Sequence, residues 1–195
     1  MLQTLDRYLF SLLNRLAGRY PAVDAVGSLL VNDYLMPSAI VLLLVWLWLR
    51  GRSAEERARD TTTAVNAVAA QFVANMILKG INLAYFRPRP FDALPNVNIV
   101  FYRPWDSSCP SNPATFAFAV AVSIYLGDRR FGLLALSMGA AWAVSRVYAG
   151  VHYPLDVIAG AALGGSVAYW LSRRSRGWAW LREYLLLLLR KGMVA

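Results

Sequence analysis

The 195-residue chain has room for one domain, and 58% of it is hydrophobic against 16% charged, where a soluble domain carries about 25%. So apolar a chain is not disordered; its lone cysteine, Cys109, excludes a disulfide scaffold, and one cysteine with one histidine, His152, argues against a Cys/His zinc site. The formal charge is nevertheless +9, so the question becomes where the charges sit.

Residues 1–20 place Leu5, Leu9, Leu12, Leu13 and Leu16 among Asp6, Arg7 and Arg15. That pattern predicts a helix lying in the membrane interface, with a short extra span as the other reading. No Arg-flanked leader with a small-residue cleavage site precedes it. Residues 34–49 are almost wholly apolar, and extending back to residue 28 gives a full span with Asn32 and Asp33 near one interface. A second, more polar span is expected over 61–86. Three more follow at 113–126, 131–148 and 154–171. Residues 177–191 are too short to cross, and Trp178, Trp180 and Tyr184 suit the headgroup region. The expectation is an all-α, polytopic helical membrane protein. It is one membrane domain of about five transmembrane helices over 28–171, with interfacial helices at both ends.

If the spans alternate, twelve basic residues following the first, third and fifth spans share one side, which the positive-inside rule makes cytoplasmic. Topology thus explains the charge better than a nucleic-acid partner does, because the arginines are scattered between spans. Arg87, Arg89, Arg103 and Arg146 fall on the other side, where the rule discourages them. Binding an anion is a reason for arginine there.

Three stretches gather at that outer end. Arg87-Pro88-Arg89-Pro90 must stop a helix, since X-Pro steps leave the helical region. Cys109-Pro110-Ser111-Asn112-Pro113 reads as a helix start with Asn112 as cap and Pro113 at the first turn, and a helix N-terminus beside a hydroxyl suits an anion. Ser145-Arg146, His152 and Asp156 flank the start of the last span, where Asp156 can hold the imidazole in one tautomer. Singly these are a turn, a cap and an interfacial histidine. Together they are the inventory for binding a phosphate and attacking it with histidine.

With these residues the chain resembles the type 2 phosphatidic acid phosphatase family, whose motifs read Lys-x6-Arg-Pro, Pro-Ser-Gly-His and Ser-Arg-x5-His-x3-Asp. The third is matched in full by Ser145, Arg146, His152 and Asp156. The second is matched at Pro110-Ser111 and the first at Arg89-Pro90. The resemblance covers residues 61–171. It implies His152 as nucleophile and Asp156 as its orienting partner. Arg89, Ser111 and Arg146, with Asn112 at the same helix start, would hold phosphoryl oxygens, and Ser145 would assist. It implies no metal and no cofactor. The substrate would be a membrane lipid phosphate or diphosphate, met on the outer face of a multi-pass plasma (inner) membrane protein.

Two departures matter. Asn82 stands where the first motif has Lys, and Pro113 stands where the second has the histidine thought to protonate the leaving group. Gln71, Asn75, Lys79 and Asn82 follow a helical period, so Lys79 can snorkel toward the site, or the stripe can be an interhelical hydrogen-bonded seam. Losing a general acid, which contributes typically ~10²–10⁴-fold, hurts alkoxide expulsion far more than expulsion of a lipid monophosphate. A polyprenyl diphosphate such as the undecaprenyl cell-wall carrier is therefore the expected substrate. The alternatives are a catalytically impaired binder of lipid phosphates and a lipid phosphotransferase. Gly160 and Gly164 allow close helix approach, either within the chain or between copies in a homo-oligomer. Phe101, Tyr102 and Trp105 anchor the outer loop in headgroups or border the lipid's path, with ordinary packing as the plainer reading for each.

Overall fold

The computed structural model describes residues 2–100, 102–174 and 176–192. Nine helices run in order through the described residues: α1 (Leu2–Asn14), α2 (Pro21–Val31), α3 (Leu35–Arg50), α4 (Ala54–Ala84), α5 (Pro90–Ala93), α6 (Asn112–Gly127), α7 (Arg129–Tyr148), α8 (Pro154–Arg173) and α9 (Arg176–Gly192). No strand occurs among them. Leu42, Leu49, Val68, Phe72 and Ile158 are exposed on their outer faces, which a soluble bundle would bury. The protein is a polytopic helical membrane protein.

Local chemistry sets the helix ends. Ser53 and Glu56 form a reciprocal capping box that starts α4, whose 31 residues reach about 46 Å. Asp128 accepts from the backbone N–H of Arg130 and Phe131 to start α7 directly after α6. Pro154 occupies the first turn of α8, and the Asp156 carboxylate accepts from the Tyr153 N–H.

Two spans differ from the sequence expectation. Residues 28–49 do not form one continuous span. The Asn32 side chain accepts from the N–H groups of Tyr34 and Leu35, which ends α2 and starts α3 with a 53° bend. α2 instead crosses the end of α7, where Gly27 lies against the Tyr148 ring. The expected span 113–126 is α6, whose 16 residues cover about 24 Å, short of a ~30 Å hydrocarbon core. Its neighbours supply the missing cover, because α6 is enclosed by α4, α7 and α8, with Ala117, Ala119, Ala121 and Ile124 fully buried. Among the described residues α4, α7 and α8 are each long and apolar enough to cross, and α2 with α3 qualifies as a bent pair.

The core helices α3, α4, α6, α7 and α8 alternate in direction. At one end Arg50 closes α3 onto Asp60 of α4 and Asp128 at the α6–α7 junction. At the other end the chain from α4 to α6 meets the α7–α8 turn, and the candidate site forms there. α1 covers that end with its polar side inward. Asp6 accepts from the Leu155 N–H, and Asn14 binds Asn98 and the Tyr148 carbonyl, while Leu2, Leu5 and Tyr8 face outward. α9 packs on α4 and α8 at the far end, where the Trp178 indole donates to Asn66. The Gly160–Gly164 pair is spent within the chain: a Cβ on either would overlap the backbone of α6, at Ser111 and Thr115 respectively.

Candidate active site

α4 ends at Ala84, and the Arg-Pro-Arg-Pro stretch then turns across the bundle. Its two arginines point different ways. Arg87 turns back into the protein, bridging Asp6 of α1 and Asp156 of α8, with its guanidinium 4.2 Å from the centre of the Tyr153 ring. It fastens three segments and does not line the cavity. Arg89 is the one that lines the cavity. It is 3% exposed, and its Nε and Nη2 donate to the carbonyl and carboxylate of Asp106 at 3.0 and 2.7 Å. Its Nη1 donates to the Val151 carbonyl at 2.7 Å and lies 3.3 Å from His152 Nε2.

His152 sits in the turn before α8 and is 1% exposed. Its Nδ1 lies 2.8 Å from the Ser108 carbonyl, which only accepts, so the proton belongs on Nδ1. Nε2 is left with a lone pair directed at Arg89. Burial, then the charges of Arg89 and Arg146, hold this imidazole well below its usual range near 6.5, so it is neutral at pH 7.

Asp156 was expected to orient the imidazole, and it is not hydrogen-bonded to the ring. Its carboxylate is 4.0 Å from Nδ1. It is occupied by the Tyr153 N–H at 2.9 Å, by Arg87 and by the hydroxyl of Ser108. The reason is position: a carboxylate three residues into the helix caps it, and the caught serine turns its own carbonyl to the ring. Asp156 is connected to His152 through Ser108.

Arg146 enters from the last turn of α7 and is 2% exposed. Its Nη1 donates to Asp33 at 2.7 Å and to the Val31 carbonyl at 3.1 Å. Asp33 also accepts from the Tyr102 hydroxyl at 2.7 Å. Arg89 and Arg146 thus face one cavity of about 330 Å³, each held by a carboxylate. Asn112, Pro113, Gln71, Asn75, Phe116 and Trp142 complete most of its wall. His152 is one contact behind that wall, beneath Arg89.

The other expected site residues divide. Ser111 is fully buried as the N-cap of α6, one residue before the expected cap Asn112, and its hydroxyl makes no hydrogen bond. Ser145 turns away; it donates to the Trp142 carbonyl and borders an apolar groove against α2. Of the polar stripe on α4, Gln71 and Asn75 reach the cavity, whereas Lys79 is exposed and Asn82 lies outside the wall. Tyr102 lines the cavity, Trp105 projects outward at 93% exposure, and Phe101 lies outside the described residues. Ser108 and Asp106 were not singled out from sequence, and Asp33 was placed near an interface but not in the site. A serine in a loop and a lone aspartate carry no spacing signal.

The chain is similar to several known proteins. The chain is 32% identical over 155 residues to the bacitracin transport permease protein BcrC of Bacillus licheniformis, covering 80% of this chain and 73% of that one. It is 27% identical over 150 residues to the undecaprenyl-diphosphatase BcrC of Bacillus subtilis, covering 77% and 74%. Its fold is similar to that of LpxE from Aquifex aeolicus, with a TM-score of 0.65 at 24% identity over 84% of this chain and 92% of that one. It is also similar to a transmembrane PAP2-type phosphatidylglycerolphosphate phosphatase from Bacillus subtilis, with a TM-score of 0.60 at 17% identity over 90% and 88%. The PAP2 superfamily model matches residues 60–180, and the chain belongs to that superfamily.

Proposed function

We propose that the protein is a membrane lipid phosphatase that hydrolyses an isoprenoid diphosphate of the undecaprenyl type through a phosphohistidine on His152. The observation that carries this is the neutral, Nδ1-protonated imidazole whose Nε2 lone pair meets Arg89 beside a two-arginine cavity. In this reading the terminal phosphate takes the guanidinium of Arg89 from Asp106 and that of Arg146 from Asp33. With Arg89 drawn to the phosphate, the path to Nε2 opens. Nε2 bonds to the terminal phosphorus, the bond to the bridging oxygen breaks, and the lipid monophosphate leaves. Water then attacks the phosphorus, the P–N bond breaks, and inorganic phosphate departs with the water's protons. The imidazole regains its lone pair and keeps its Nδ1 proton throughout. The Ser108 carbonyl, held by Asp156, supports the positive charge that the ring carries as an intermediate. The arginines neutralise the developing charge, and the scheme needs no metal.

Pro113 selects the substrate class. No imidazole lines the cavity, and a lipid monophosphate leaves as a stabilised anion where an alkoxide does not. The name of the similar Bacillus subtilis protein, undecaprenyl-diphosphatase BcrC, points the same way. The site faces the periplasm or cell exterior in this reading. The test is phosphate release from undecaprenyl diphosphate and from phosphatidic acid by the wild type, His152→Ala and Pro113→His. Diphosphate turnover abolished in the first variant, and monoester turnover gained in the second, are expected. Equal turnover of both lipids by the wild type counts against the substrate class. No release from either lipid favours a binding protein or a phosphotransferase.

A further inference from the structure

A second polar recess of about 330 Å³ lies at the end of the bundle away from His152. α4, α6 and α8 converge there and α9 passes over it. Three arginines line it, Arg59, Arg173 and Arg182, together with Thr62, Ser123 and Ser172. Arg59 uses Nε on Asp60, whereas Arg173 and Arg182 form no ion pair among the described residues. The Nε of Arg182 and the hydroxyl of Ser172 are buried without a hydrogen-bond partner, an arrangement that costs free energy unless something fills it.

We propose that this recess is a phosphate-ester site that holds the headgroup of an anionic phospholipid from the leaflet at that end of the bundle. Guanidinium forks and hydroxyls are the donors that a phosphate accepts from, and the recess presents both with no competing carboxylate on its wall. Arg173 ends a spanning helix, and Trp178 of α9, a residue type that favours the membrane interface, donates to Asn66 on the recess wall. A general attraction of basic residues to anionic lipid does not account for the recess, since exposed Arg130 has no walls around it and no unpaired buried donors. The bound phosphate joins α4 and α8 to Arg182, so it also pins α9 to the bundle. The inference does not depend on the catalytic reading.

The experiment is thermal unfolding of the full chain in nanodiscs of phosphatidylcholine, with and without phosphatidylglycerol, and in phosphatidylcholine with inorganic phosphate. Phosphatidylglycerol is expected to raise Tm by about 5 °C at saturation. Arg173→Gln/Arg182→Gln should lose that shift while Arg130→Gln keeps it, with circular dichroism confirming the same helix content. A wild type no more stable in phosphatidylglycerol, or a shift lost equally in Arg130→Gln, overturns the site. Inorganic phosphate protecting as well as the lipid, through the same two arginines, keeps the anion site and overturns its lipid occupant. Should the double variant fail to fold, Ser172→Ala with Arg182→Lys gives the same reading at smaller amplitude.

Discussion

In the proposed reaction the attacking histidine must be neutral, and the largest influences on His152 favour that form against the opposing pull of the Ser108 carbonyl. Burial penalises the imidazolium, and two nearby guanidiniums repel it. Protonation would occupy Nε2, so activity should stay level as pH falls past 6.5 and decline only below it. The acid limb of kcat/KM for diphosphate release reports this ionisation in the free enzyme, and a midpoint at or above 6.5 would remove the argument. The two carboxylate latches give a second expectation. In the proposed reaction Asp106 competes with phosphate for Arg89, so Asp106→Asn should tighten inhibition by inorganic phosphate by roughly fivefold, the equivalent of about 1 kcal/mol. Weaker inhibition would mean that the carboxylate orients Arg89 and does not obstruct it. Arg89, Arg146 and His152 were legible because arginine is out of place on the less basic side and because their spacing is characteristic. Their latches were not, since Asp33 is 113 residues from Arg146 and Asp106 is 17 from Arg89. Ser108 was hidden for another reason: it orients the ring through a backbone carbonyl, which every residue has.

Helices were easier to read than their breaks. Apolar runs located α3, α4, α6, α7 and α8, because a bilayer demands long apolar segments whatever their neighbours do. The bend after α2 was missed because it depends on one side chain, Asn32, choosing to cap. The length of α6 was a matter of context, since neighbours enclose it. Close approach of α8 to α6 is what places Ser111 and the Asp156 carbonyl in contact, at 2.9 Å from the Ser111 N–H. Gly160 and Gly164 make that approach possible, each having the α6 backbone where a Cβ would stand. Gly164→Ala should therefore cost about 1–3 kcal/mol and lower Tm by roughly 3–10 °C. Gly80→Ala, in the last turns of α4 with nothing near its Cβ position, should leave Tm unchanged or slightly raised. Melting both variants in the same membrane mimetic checks the contrast. Equal effects would show that helix propensity, and not the α6–α8 contact, governs these positions.

Across the molecule the +9 charge is strongly polarised. By position in the helices, twelve basic residues and five acidic ones lie at the end opposite the site, against seven and six at the site end, with Lys79 on α4 between them. Nearly all the excess positive charge is therefore at one end. Site-end arginines are largely neutralised in place: Arg87 by Asp6 and Asp156, Arg89 by Asp106, Arg146 by Asp33. Such an end crosses a membrane with less opposition than the other, where Arg52, Arg57, Arg129, Arg130 and Arg174 are all exposed. The expected orientation puts His152 outside and α9 in the cytoplasm. A diphosphate left on the outer leaflet after its cargo is transferred would meet the site where it lies. Single cysteines in a Cys109→Ser background test this directly. Trp105→Cys, at a position 93% exposed beside the cavity, should react with a membrane-impermeant maleimide on intact cells, and Arg130→Cys only after the membrane is opened. The reverse pattern would place the phosphatase chemistry in the cytoplasm, and a lipid diphosphate made there would then be its substrate.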